Sequence, residues 1–67
     1  MQLAVGNSYL DRQGTLWRVV LHDPTTKAGY PFLGHVAGKA HIRQWYASDG
    51  RWSNGGLTEI DLVERAK

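Results

Sequence analysis

Strand-forming runs that each carry a glycine-bearing turn constrain this chain more than any other feature. They occupy residues 11–20 (DRQGTLWRVV), 30–34 (YPFLG) and 44–52 (QWYASDGRW). A run of β-branched and aromatic residues, then Asp-Gly or Gln-Gly, then another such run is the strongest short-range hairpin signal a sequence carries. Repeated along one short chain, it predicts a compact antiparallel meander.

Length confines that meander to a single domain, residues 1–67, near the lower limit at which a chain buries enough apolar surface to fold unaided. There is no cysteine, so neither a disulfide framework nor a thiolate metal site supplies extra stability. Packing must hold the fold, with self-association as a further source. The first six residues have no basic region and only a brief apolar stretch, which reads as neither a signal peptide nor a membrane span. The cytoplasm is the expected compartment.

Alternation sets the elements. A short strand over Val5 to Leu10 leads into a turn at 11–14, where Gly14 takes the positive φ of a bulged hairpin. The strand Thr15 to His22 follows, with Trp17, Val19 and Leu21 on the core face and Leu16, Arg18 and Val20 on the other. Apolar residues on both faces predict a sheet that curls on itself. Residues 22–29 form the longest polar loop, opened by Asp23-Pro24. Tyr30 to Val36 reads as a strand with Pro31 at its start, at an edge or at a bulge. After a turn at 38–40, Ile42 to Ala47 is the next strand, and Asp49-Gly50 reverses it so that Arg51 and Trp52 lie on the return. A turn near Thr58 to Ile60 and a closing strand at Asp61 to Val63 complete an all-β fold: a strongly bent sheet of about five strands, an SH3-like barrel.

Charge and chemistry narrow the function. The net charge is +2, and the basic residues Arg12, Arg18, Lys27, Lys39, Arg43, Arg51, Arg65 and Lys67 are scattered instead of forming the stripe typical of nucleic-acid binders. His22, His35 and His41 do not match zinc-ligand spacings, so no metal and no cofactor is expected. Three of the six carboxylates fall in turns, and no serine sits in a nucleophile motif. The chain is expected not to be an enzyme.

Aromatic residues carry the remaining signal. Seven large rings, three Trp, three Tyr and one Phe, exceed what a core of this volume encloses, so some reach the surface. Arg43, Trp45, Arg51 and Trp52 flank the Asp49-Gly50 reversal, a composition enriched in protein interface hot spots. Tyr30, with the 22–29 loop, forms the expected rim, and Arg18 completes the candidate binding set. The same side chains could stack bases and touch phosphates.

The motifs Val-Gly-Asn-Ser-Tyr (5–9), Asp-Arg-Gln-Gly (11–14), Tyr-Pro-Phe (30–32), Asp-Gly-Arg-Trp (49–52) and Asp-Leu-Val (61–63), in that order, resemble a group of small bacteriophage and prophage accessory proteins. The resemblance covers most of the chain. It implies a small β fold encoded by a phage or mobile element, without assigning an activity or functional residues. Small accessory proteins of that kind frequently act by binding and blocking a host component. The expected function is therefore non-catalytic binding to a host protein. Nucleic acid or nucleotide binding is the alternative, and a homodimer formed by edge pairing or an aromatic face is a secondary expectation.

Overall fold

The computed structural model describes residues 1–25 and 28–66; Thr26, Lys27 and Lys67, and with them part of the expected 22–29 rim, lie outside the described residues. Five strands, β1 (Ser8–Asp11), β2 (Leu16–His22), β3 (Phe32–Val36), β4 (Lys39–Tyr46) and β5 (Leu62–Ala66), form one sheet in the order β4-β3-β2-β1-β5. All neighbours pair antiparallel. The first four strands are a meander, and β5 returns to pair with β1. The all-β, five-stranded expectation holds.

The sheet is bent but not closed by a ladder, leaving β4 and β5 as its edges. The turn after β4 bridges the gap instead. The Leu62 amide donates to the Gly50 carbonyl at 2.9 Å and the Leu3 amide to the Ser48 carbonyl at 2.8 Å, while the Tyr46 hydroxyl donates to the Ile60 carbonyl at 2.9 Å. Asp-Gly-Arg (49–51) and Asp-Leu-Val (61–63) therefore meet in space.

Leu3, Tyr9, Trp17, Val19, Phe32, Tyr46 and Leu62 make the core. Trp17 and Tyr46 meet edge to face, centroids 5.7 Å apart and planes at 78°, the arrangement that the ring quadrupoles favour. A Cβ at Gly34 would meet the Tyr46 ring at 3.6 Å and the Arg18 carbonyl at 3.4 Å, ordinary van der Waals distances, so a methyl group fits there and only a longer side chain would press on the ring.

Several element expectations change. Leu21 is 45 % exposed and does not join Trp17 and Val19 inside. Val19 pairs with Gly34 but Leu21 with Leu33, so Val20 is an extra residue, and a bulge of this kind inverts the alternation beyond it. His22 consequently comes to the Phe32 side, where the two rings stack at 4.6 Å. Strand β1 begins at Ser8, since residues 5–6 form a turn. Strand β4 begins at Lys39 and carries three more residues than β3 between the pairs Val36–Lys39 and His35–Arg43.

Arg51 and Trp52 are not on a return strand. The Ala47 amide donates to the Arg51 carbonyl at 2.8 Å and the Gly50 amide to the Ala47 carbonyl at 2.9 Å, which closes a tight turn rather than starting a ladder. The closing strand runs Leu62–Ala66, with the turn before it at 59–60.

Candidate binding face

With the core on one side of the sheet, the register defines the other. Residues paired across neighbouring strands project from the same face, with Cβ atoms about 5 Å apart. Arg18 pairs with His35 and His35 with Arg43, which sets three basic side chains in a row across β2, β3 and β4. Two residues along, Leu21 pairs with Leu33 and Leu33 with Trp45, giving an apolar row about 7 Å away. Arg18, Leu21 and Arg43 are exposed, and Leu33, His35 and Trp45 half-buried.

Of the expected binding residues, this face gathers Arg18, Arg43 and Trp45. Trp52 lies elsewhere. Its indole Nε1 donates to Gln44 Oε1 at 2.9 Å, and Gln44, between Arg43 and Trp45 on β4, projects from the opposite face. The Trp52 amide donates to Asp61 Oδ1 at 3.0 Å, so the residue also anchors the turn before β5. Arg51 pairs its Nε with Asp49 Oδ2 at 3.0 Å in an exposed i, i+2 clasp. Tyr30 is half-buried ahead of β3. The two tryptophans flanking the Asp49-Gly50 reversal thus lie on opposite sides of β4.

His35, Leu33 and Leu21 join the face through pairing that strand alternation by itself does not show. Alternation alone links Arg43 with Trp45, whereas joining them to β2 requires the β3 register and the bulge at Val20.

Charge on the face is one-sided. Among the described residues neither Arg18 nor Arg43 is ion-paired, and the one carboxylate that the register brings to this side is Glu64, opposite Leu10 on the far edge strand β5. The two buried carboxylates serve the fold. Asp11 Oδ1 accepts the Gln13 and Thr15 amides at 2.9 and 2.8 Å, and its Oδ2 accepts the Trp17 indole at 2.9 Å. Asp61, 1 % exposed, accepts the Trp52 and Thr58 amides and the Thr58 hydroxyl, with an Arg12 guanidinium nitrogen at 3.8 Å. Burial pushes the Asp61 carboxyl up, but the Thr58 hydroxyl, the two amides and Arg12 together outweigh it and hold its pKa below the ordinary value. Burial, and then the carboxylates of Asp11 and Asp61, push the Tyr46 phenol well above its ordinary value.

No protein-family model, no curated protein and no solved structure matches this chain. The site must be judged on its own chemistry.

Among the described residues no three His, Cys, Asp or Glu side chains gather as a metal site, and no helix is long and apolar enough to cross a membrane. His35 Nδ1 lies 2.9 Å from the Val36 carbonyl, and His22 stacks on Phe32. A cleft of about 300 Å³ opens beside the face, lined by Gly6, Asn7, Ser8, Leu16, Arg65 and Ala66. Ser8 pairs with Arg18, so the cleft continues the basic row toward β5.

Proposed function

We propose that this is a small phage or mobile-element protein that acts by non-catalytic binding, docking through the outer face of β2, β3 and β4 onto a host protein and blocking or modulating it. One observation carries the reading: the row Arg18, His35, Arg43 lies beside the row Leu21, Leu33, Trp45 on the sheet face away from the core. Tryptophan and arginine dominate interface hot spots because each buries a large area while keeping a directional polar or charged end. The order of short motifs along the chain supports the phage setting.

Nucleic acid or nucleotide binding is the second reading, favoured by the guanidinium groups of Arg18 and Arg43, without an ion pair among the described residues, beside the Trp45 indole. Stacking platforms for single strands usually present successive aromatic side chains. Here Leu33 and Leu21 continue the row, and Trp52 lies on the other side of β4. Protein is the better fit.

Capture from a lysate of the cell that carries the gene tests the reading. Wild type and Trp52→Ala should retain the same protein, and Trp45→Ala should lose it. Retention by Trp45→Ala, or a captured species that nuclease removes and salt releases steeply, would overturn it.

A further inference from the structure

Resting on the binding face just proposed, we infer that its partner is a protein whose contact surface carries carboxylates set between two apolar clusters. A third row supports this. Leu10 of β1 pairs with Leu16 of β2 on the same side of the sheet as Arg18, one step along β2 in the direction opposite to Leu21 and Leu33. Leu16 is 38 % exposed. The outer face therefore reads, along the strands, as an apolar row (Leu10, Leu16), a basic row (Arg18, His35, Arg43) and a second apolar row (Leu21, Leu33, Trp45), about 7 Å apart.

Charge complementarity selects the occupant. Docking removes water from the two guanidinium groups, and a desolvated charge is tolerated only when paired and hydrogen-bonded. A planar guanidinium accepts a carboxylate in two-pronged geometry, so carboxylates opposite Arg18 and Arg43 complete the central row. A second copy of this chain is a poor occupant. A two-fold pairing of the same face through its centre would lay the basic row on its own copy, and like charges across an interface are repelled. Nucleic acid supplies anions, but it leaves the aliphatic rows on both sides without an apolar counterpart. A protein surface with acidic residues flanked by leucine-like side chains satisfies all three rows together.

Zero-length cross-linking reads this contact directly. In R18K and R43K an amine replaces the guanidinium while the charge is kept, and a carbodiimide joins such an amine to a carboxylate only at contact distance. Each variant is incubated with a nuclease-treated lysate of the cell that carries the gene, cross-linked, and the linked peptides sequenced. The expected result is an amide bond from position 18 or 43 to Asp or Glu of one captured protein, absent when Trp45→Ala is added. A captured protein that is lost with Trp45→Ala but forms no link at either position overturns this inference and leaves the proposed face standing. Links to a second copy of this chain overturn the inference by naming another occupant. Capture abolished by nuclease, capture indifferent to Trp45→Ala, or no capture by wild type, overturns both.

Discussion

Gly50 accepts the Leu62 amide on its carbonyl at 2.9 Å, and its own Cα comes so near β5 that a Cβ would lie 2.4 Å from the Leu62 carbonyl oxygen. This approach takes the place of a ladder between the two edges of the sheet. It depends on glycine twice, once for the space and once for a φ of 96°.

Substituting Gly50 should therefore cost more than backbone strain alone. Gly6 has nearly the same φ, 93°, with nothing within 4 Å of a Cβ, so Gly6→Ala loses only the left-handed preference, about 1–2 kcal/mol. Gly50→Ala adds a backbone clash and a distorted Leu62 contact, and should cost at least about 2 kcal/mol more. Urea midpoints of the two variants, with unchanged slopes, check the difference.

Asp11 is expected to tolerate neither Ala nor Asn. Both of its oxygens accept N–H donors, two amides and the Trp17 indole, and an Asn side chain would turn a donor toward one of them. Charge-assisted bonds of this kind contribute about 1.5–3 kcal/mol. Asp11→Asn should lose about 2 kcal/mol in urea unfolding and shift the Trp17 signal in near-ultraviolet circular dichroism.

Acid stability should report Asp61. Its folded pKa lies below the unfolded value, which is about 3.9, so its contribution is complete above pH 4 and is lost as pH falls through the folded value. The stability difference between wild type and Asp61→Asn, followed by urea unfolding from pH 7 to pH 2, should shrink across that window. A difference that stays constant with pH would contradict the assignment.

Tyr46 gives the opposite limb. Its pKa is raised on folding, so its contribution is complete below the ordinary tyrosine value of about 10 and is lost as pH climbs toward the higher folded value. Tyr46→Phe should lose about 1 kcal/mol at neutral pH with the bond to Ile60. It should also flatten the decline above pH 10 relative to wild type, as read by thermal unfolding across that range.

Local chemistry made much of this fold legible in the sequence. The turns at Gly14, Gly38 and Gly50 all adopt positive φ, and alternation put Trp17 and Val19 inside, where they are. Alternation failed at Leu21 because the extra residue at Val20 leaves no mark in the sequence; a bulge is set by how β3 packs against β2. The site divided along the same line. Arg43 and Trp45 are two apart on one strand, so their shared face was readable, whereas Arg18 reaches them only through His35. A return strand would bring Trp52 to their patch, but the chain leaves the sheet after Tyr46 and carries the indole to Gln44 on the other side.

Placement of charge, rather than its amount, is the central claim, and two double variants with equal net charge isolate it. R18E/R43E alters the outer face of β2 and β4; K39E/R51E alters the start of β4, where Lys39 pairs with Val36 on the other side of the sheet, and the Asp49 clasp. Calorimetric affinity for the captured partner should fall at least about tenfold in the first, the scale of a hot-spot loss, and stay within about twofold in the second, as expected for charges outside the contact. Equal weakening in both, or a larger loss in K39E/R51E, would contradict the assignment of binding to this face.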